Sequence, residues 1–419
     1  MYIKIHRGTG QIGGNIIEVG TKQTRLIFDA GSNLPPLDDR KFSDPVEIQG
    51  LTYGDAEFDA VFISHHHNDH CGLIDRILPG IPIWSGKETG RILNVISDFT
   101  DGKPSRITDF FTDGTNCLPC QIGDIRVTPI GVDHSAYDAY MFLIQADGKS
   151  LLYTGDYRAV EEIPGEIRNL LGITGKLDVM ITEGTNIRAV QRGAGRTLRD
   201  EDMIRFEAEK IMQGHAGTVF VLCSSTNEAR IRAVNTACAQ AGRVSCQDLF
   251  TAVVRGELSK EDVCAHQYFV ANRVDSEKTP RQYYYFEKYF EQRALVGANT
   301  LAGRPEKQTI FIRTSMLQFI SNYLDARGGD DHVLIYSMWE GYKQTEPVKK
   351  MMQFFSDRGI KTVSLHCSGH AYQKAIKEFI WKLKPDTLIP IHCDSTDRKI
   401  FEELHPNCKM LNDGEIWEV

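Results

Sequence analysis

No run of about 18 consecutive apolar residues occurs in this 419-residue chain, which excludes a membrane-spanning helix of ordinary length. The first residues, Met1-Tyr2-Ile3-Lys4-Ile5-His6-Arg7-Gly8, lack the apolar core of a secretory signal, so a cytoplasmic protein without a membrane partner is expected. An excess of positive charge is missing too: 48 Lys and Arg face 56 Asp and Glu, a formal net charge of −8. That balance excludes a protein that coats nucleic acid through its global field, though not one with a local basic cleft. The ten cysteines follow no framework spacing. Cys117-Leu118-Pro119-Cys120 is the one Cys-x-x-Cys pair, and without a second pair to close a structural zinc site it reads as a turn. Cys71, Cys367 and Cys393 read as small buried hydrophobes of a reduced compartment. No internal repeat or low-complexity tract is present. What remains is the composition of a globular protein, long enough for two or three domains with large cores.

The informative stretch is Ser64-His65-His66-His67-Asn68-Asp69-His70-Cys71-Gly72. It follows Ala60-Val61-Phe62-Ile63, an apolar β-branched run that reads as a short buried strand, so the polar cluster sits on the loop leaving that strand. Read as His65-x-His67-x-Asp69-His70, it offers three imidazoles and a carboxylate within six residues. Nitrogen and oxygen donors of this kind suit zinc, and two such ions about 3.5 to 4 Å apart can activate a shared water.

Other strand ends carry similar groups. Residues 1–33 read as a meander of short strands, with Asp29-Ala30-Gly31 ending the third; Asp29 is either a turn-capping residue or a carboxylate that holds a metal-bound histidine from behind. Residues 73–78 read as a helix start, 81–84 as a strand, 86–98 as a helix and 101–124 as loop. The strand 125–130 runs into His134, the strand 151–153 into Asp156, and 179–181 into Glu183. Residues 188–199 then carry Arg188, Arg192, Arg196 and Arg199 with no acidic residue, a solvated basic loop or a phosphate contact. The strand 218–223 ends in Ser224-Ser225-Thr226-Asn227-Glu228, whose hydroxyls and amide cap the next helix and also suit an anion. Tyr283, Tyr284, Tyr285, Phe286, Tyr289 and Phe290 crowd one helical segment, as core or as a base-stacking platform. Two more strand-and-loop blocks follow, one carrying His366, Ser368 and His370, the other ending on His392.

This order of motifs resembles the β-CASP branch of the metallo-β-lactamase superfamily, with ribonuclease J-like members nearest, and the resemblance covers nearly the whole chain. It rests on Asp29, the 65–70 cluster, His134, Asp156, Glu183, Ser368-Gly369-His370-Ala371 and His392. The implied fold is α/β: an αββα sandwich formed by residues 1–190 and 351–419, with an inserted β-CASP α/β domain at 191–350. The implied cofactor is two zinc ions per chain. His65, His67 and His134 hold the first, Asp69, His70 and His392 the second, and Asp156 lies between them.

By the same resemblance His370 is the general acid, oriented by Glu183, with Asp69 also in the catalytic set; the residues alone do not choose between His370 and His366. Ser368 and Ser224 are candidates to hold a non-reacting phosphate. The chain departs from the ribonuclease J pattern in lacking a Gly-Ser-Gln-Gly stretch, in whose place stands Ser337-Met338-Trp339-Glu340-Gly341-Tyr342, and in lacking that family's carboxy-terminal assembly domain.

The expected activity is zinc-dependent hydrolysis of single-stranded RNA, endonucleolytic or 5′-to-3′ exonucleolytic, with a homo-oligomer or larger complex as an open question. A histidine at the last motif, here His392, accompanies RNA substrates in the branch. Two alternatives stand beside it: a metallo-hydrolase of a small ester, lactone or thioester, and an RNA-binding subunit with a relic site. The inserted unit followed by a returning His370 speaks against the first, and intact ligand positions speak against the second.

Overall fold

Period-two alternation in the short apolar strands sets the central layers of the molecule. A computed structural model describes residues 1–34, 44, 46–100, 104–113, 116–159, 175–188, 200–256, 266–271, 276–293, 296–329 and 331–419, the side chains of 289–293 excepted. Leu26, Phe28, Ala60 and Phe62 turn to one interior, while the intervening Ile27, Val61 and Ile63 turn to the other face.

The first interior is shared by two sheets. One runs in the order Ile416–Glu418, Tyr2–Arg7, Ile16–Gly20, Arg25–Phe28, Ala60–Phe62, Ile83–Ser85, Asp109–Phe110. The other runs Thr387–Ile391, Val179–Glu183, Lys149–Tyr153, Ala139–Ala146, Ile125–Val132, Cys120–Ile122. Phe28 and Phe62 stack at 5.4 Å and meet Phe142 of the opposite sheet. Burial of each such side chain contributes roughly 1.5 to 3 kcal/mol.

The outer faces are covered in turn. Ile27, Val61 and Ile83 pack under Leu51, Leu73, Ile74 and Ile77. Met141, Leu143, Met180 and Leu388 pack under the helix Gln373–Leu383 through Ile376, Phe379 and Ile380. The result is a mixed α/β structure, two packed sheets with apolar layers outside both. Pro390 is tolerated because Thr387–Ile391 is an edge strand.

A third sheet is wholly parallel, in the order His266–Phe269, Val244–Asp248, Gln308–Ile312, Val219–Leu222, Val333–Tyr336, Lys361–Ser364. Both faces of its centre are buried, which is why the strands Val219–Leu222 and Val333–Tyr336 are continuous apolar runs. Lys361–Ser364 pairs with Val333–Tyr336, so this sheet extends past residue 350, where the sequence placed the end of the inserted unit.

Two local expectations are corrected. Residues 73–78 form only a 3-10 turn, Ile74–Arg76, while the preceding helix, Asn68–Cys71, lies on the histidine cluster itself. The stretch 101–124 holds two short strands. Asp109–Phe110 adds to the edge strand Ile83–Ser85, and Cys120–Ile122 folds back on Ile125–Val132 through a two-residue Gly123-Asp124 turn with Gly123 at φ 53°.

The aromatic segment lies on the helix Pro280–Arg293. Tyr285 stacks on Phe99 at 5.8 Å and donates to Asp98 Oδ2, and both Tyr285 and Phe286 pack against Val95 and Leu249, so these two serve packing between the units. Tyr284 is exposed. The side chains of Tyr289 and Phe290 lie outside the described residues, as do Arg192, Arg196 and Arg199. Arg188 is ion-paired with Asp397 at 2.6 Å. No helix among the described residues is long and apolar enough to cross a membrane.

Residues 30–32 lie directly against the short helix that carries Asp69 and His70. The Ala30 amide donates to His70 O, Ser32 to Asn68 O, and Asn15 to Asp69 O. A Cβ on Gly31 would fall 1.8 Å from Asp69 O, with backbone on both sides and no flexible side chain to yield. Gly31→Ala is therefore expected to destabilise the protein by about 2 kcal/mol or more and to displace the Asp69 segment. A chemical-denaturation midpoint, together with metal titration of the folded variant, checks both effects.

Candidate metal centre

The carboxyl ends of strands from both sheets meet at one edge of the sandwich, and there the polar residues gather. Phe28 passes directly to Asp29, and Phe62 leads through Ile63 and Ser64 to His65. From the opposite sheet come His134 after Val132, Asp156 after Tyr153, Glu183 at the end of its own strand, and His392 after Ile391. A crevice outside the carboxyl ends of strands is where α/β sheets bind ligands. Asp29 and His392 both adopt left-handed backbone conformations, φ 61° and 48°, a local strain that concentrates at functional sites.

Potential ligands fall into overlapping groups. His65, His67 and His134 form one, and Asp69, His70, Asp156 and His392 a second, with ligand atoms in each group within 4.8 Å of one another. Asp156 stands at the centre. Its Oδ2 is 3.1 Å from His70 Nε2, 3.9 Å from His65 Nε2 and from His134 Nε2, and 3.6 Å from His370 Nδ1. Its Oδ1 is 3.5 Å from His392 Nδ1.

The hydrogen bonds leave the cation-facing atoms bare. Among the described residues, His65 Nε2, His70 Nε2, His392 Nε2 and both Asp156 oxygens are buried with no hydrogen-bond partner. Unpartnered buried groups are costly, about 1 to 3 kcal/mol each, and divalent metal bound at these ligand groups would satisfy them. The residues present thus fit a divalent metal.

The opposite ring nitrogens are held from behind. His70 Nδ1 donates to Asp29 Oδ2 at 2.7 Å, and His134 Nδ1 donates to Gly369 O at 2.6 Å. His65 Nδ1 lies 3.0 Å from Ser64 Oγ, and His392 Nδ1 lies 2.8 Å from the Asn15 amide nitrogen. Such contacts fix ring orientation and tautomer. Asp29 is itself saturated by the Ser64 amide and hydroxyl and by the Tyr153 hydroxyl.

Burial, reinforced by the neighbouring imidazoles, pushes His65, His67 and His134 well below the ordinary histidine range, and it pushes His392 down to about 3. These rings are neutral, the form a metal requires. Burial opposes the charge on Asp156, yet the surrounding His392, His70 and His370 hold its carboxyl well below the usual range. His70 moves the other way: against burial, Asp156 and Asp29 raise it.

Of the two histidines left open by the sequence, His370 is the one against this centre, 3.3 Å from Glu183 Oε2. Burial lowers its pKa, but Glu183 and Asp156 prevail and raise it to about 9. His370 also groups with His134 and Asp156 at ligand distance. His366 is pushed down to about 4 by burial and belongs to none of the ligand groups, and the same is true of His66.

The hydroxyl oxygen of Ser368 accepts from Asn186 Nδ2 at 2.8 Å and from the His370 amide at 3.2 Å, which leaves its own proton to donate. Ser224 is exposed on the loop after Val219–Leu222, and its hydroxyl is engaged with Thr226. A cleft of about 560 Å³ opens beside His134 and Ser135, with Arg158, Glu201 and Arg232 on its far wall. Sequence reasoning missed Asn15, Ser64, Tyr153 and Asn186. Of these, only Ser64, next to the histidine run, carried a local signal.

Residues 24–218 match the Beta-lactamase superfamily domain. The chain is 20% identical over 409 residues to Ribonuclease J of Helicobacter pylori (strain B128), covering 92% of this chain and 55% of that protein. It is 22% identical over 451 residues to Integrator complex subunit 11 of Gallus gallus, covering 97% of this chain and 72% of that one. The chain spans about half the length of the first Ribonuclease J relatives it matches. A solved structure, a protein of unknown function from Enterococcus faecalis V583, superimposes with a TM-score of 0.74 at 20% identity and covers 99% of both chains, which shows a shared fold.

Because Asp29 orients His70 and accepts no other charged partner, Asp29→Asn is expected to weaken metal binding by about 10- to 100-fold while the fold persists. Chelator competition against the wild-type protein, with circular dichroism as the control for folding, measures this.

Proposed function

We propose that this chain, whose residues 24–218 match the Beta-lactamase superfamily domain and which is similar to Ribonuclease J over most of its length, is a zinc-dependent ribonuclease that hydrolyses phosphodiester bonds of single-stranded RNA. The observation that carries the reading is the pair of adjacent ligand groups, with Asp156 a member of one and 3.9 Å from His65 and His134 of the other, and with His370 and Glu183 beside them. His65, His67 and His134 hold one zinc ion; Asp69, His70 and His392 hold the other, with Asp156 between them. When bound, two such cations supply Lewis acidity toward the phosphate and the attacking water.

The remaining steps belong to the chain's own side chains. Glu183 accepts from the Ala371 amide through Oε1 and from the Thr185 amide through Oε2, so its carboxylate is fixed where it faces His370 Nδ1. It orients the imidazole, which donates a proton to the departing ribose oxygen. Ser368, whose hydroxyl oxygen accepts from Asn186 and the His370 amide, holds a non-reacting phosphate, with the exposed Ser224 as a second candidate. Residues 1–190 and the returning segment after Ser364 form the metal-binding domain. The inserted unit of 191–350, extended to the strand Lys361–Ser364, forms the other wall of the substrate cleft. The protein acts in the cytoplasm. The name of its Gallus relative, a complex subunit, supports work within an assembly.

The test is digestion of matched RNA and DNA oligonucleotides, 5′- or 3′-labelled, single-stranded and annealed, by metal-loaded protein with its metal content measured. Cleavage of single-stranded RNA in preference to the other three, with two zinc ions per chain, is expected. Equal cleavage of both sugars, or faster cleavage of duplex, overturns the substrate assignment.

His370→Ala is expected to reduce turnover by about 10²- to 10⁴-fold with metal content unchanged, whereas Asp156→Ala loses metal and activity together. Metal loss in His370→Ala would instead mark His370 as a ligand, the role its grouping with His134 and Asp156 also permits.

A further inference from the structure

The loop from Leu365 to Tyr372 connects the third sheet to the helix Gln373–Leu383, and it carries no regular secondary structure of its own. Five of its carbonyls are nonetheless claimed by side chains. Ser337 Oγ donates to Leu365 O at 2.6 Å, Arg230 Nη2 to Cys367 O at 3.2 Å, and Arg158 Nε to Ser368 O at 3.2 Å. His134 Nδ1 donates to Gly369 O and Asn186 Nδ2 to His370 O.

The two arginines come from different units. Arg158 follows Asp156 by two residues in the two-sheet unit, while Arg230 lies on the helix Glu228–Gln240, which packs on the third sheet. One carboxylate joins them. Glu201, the first residue of the helix Glu201–Gly214, accepts from Arg158 Nη2 at 3.1 Å, from Arg230 Nη2 at 3.1 Å and from Arg230 Nε at 2.6 Å. Arg230 and Arg158 are buried, and Arg230 is anchored further by Ser337 O and Oγ.

We infer that Glu201, by pairing with Arg158 and Arg230 across the two units, is a positioning residue that holds the Leu365–His370 loop, and with it His370, in register with the metal centre. Without the carboxylate Arg230 has no acidic partner among the described residues, and Arg158 keeps only the longer contact of its Nη1 with Asp133 Oδ2, at 3.5 Å. Both are mostly buried, where an uncompensated charge is strongly unfavourable. The arginines then withdraw from the carbonyls they hold, and the loop loses its two central clamps. A shift on the order of 1 Å in a catalytic group costs on the order of 10²-fold in rate. Glu201 touches none of the ligand groups, so the metals stay.

The inference rests on the ribonuclease reading for the role of His370, and the test separates the two. Metal-loaded wild type, Glu201→Gln and the milder Arg158→Lys are assayed on single-stranded RNA and on bis(p-nitrophenyl) phosphate, whose nitrophenolate leaves without needing a proton. Glu201→Gln is expected to lower kcat on RNA by about 10- to 100-fold, with KM, bound metal and nitrophenyl diester hydrolysis within about twofold of wild type. Arg158→Lys gives a smaller loss of the same kind. In a His370→Ala background, adding Glu201→Gln costs nothing further on RNA, because the group it positions is already gone.

Equal losses on both substrates, or full additivity with His370→Ala, overturn the inference. If the wild-type protein hydrolyses the nitrophenyl diester but not RNA, the ribonuclease reading fails. Hydrogen exchange at the amides of 366–371 then decides the clamp: faster exchange in Glu201→Gln supports it, and unchanged exchange overturns it.

Discussion

Asp156 is a carboxylate buried at the end of an apolar sandwich, with neither oxygen hydrogen-bonded among the described residues and with imidazoles around it. A charge in such a place is tolerable only opposite cations, and most of the local architecture follows from that constraint. Of the rings near it, His65, His134 and His392 are kept neutral by burial, so that their lone pairs and the carboxylate face the same small volume. The ring N–H donors are spent behind the rings, on Asp29, Ser64 and the carbonyl of Gly369, while the Asn15 amide nitrogen lies against the back of the His392 ring. Left-handed backbone at Asp29 and His392 is the local strain of bringing strand ends this close.

The same constraint explains why the site spans nearly the whole chain. No single strand end offers enough donors, so the centre draws on positions from 29 to 392 and on both sheets of the sandwich. The third sheet is not a bystander in this arrangement. The loop leaving it supplies the carbonyl that orients His134 and the side chain of His370, and its helices supply the groups that pin that loop. A unit that looks like an insertion in the sequence therefore helps to hold the metal side of the cleft as well as its opposite wall.

Charge is distributed in keeping with this division. The net charge of −8 gives the molecule no long-range attraction for a polyanion. Arginines that could contact phosphates are largely committed within the protein: Arg158 and Arg230 to Glu201, Arg188 to Asp397.

The sequence marks the candidate ligands, because a metal site imposes donor types at strand ends and those ends are marked by short apolar runs; their grouping into two sets is what the resemblance implies. His65, His67, Asp69 and His70 are legible from spacing alone, and His134, Asp156, Glu183, His370 and His392 from their places in a familiar order of motifs. The strand Lys361–Ser364 was assigned to the wrong unit, since an edge strand leaves little trace in composition: its burial is partial and its pairing partner is remote. Asn15, Tyr153, Arg158, Glu201 and Arg230 were invisible as site residues for a related reason. Each acts through a hydrogen bond or ion pair to a residue far away in sequence, and nothing in its own neighbourhood records that partner. The choice between His366 and His370 is of the same kind. Both follow one strand, four residues apart, and only the packing of the loop against His134, Asn186 and Glu183 brings one ring to the centre and leaves the other apart from it.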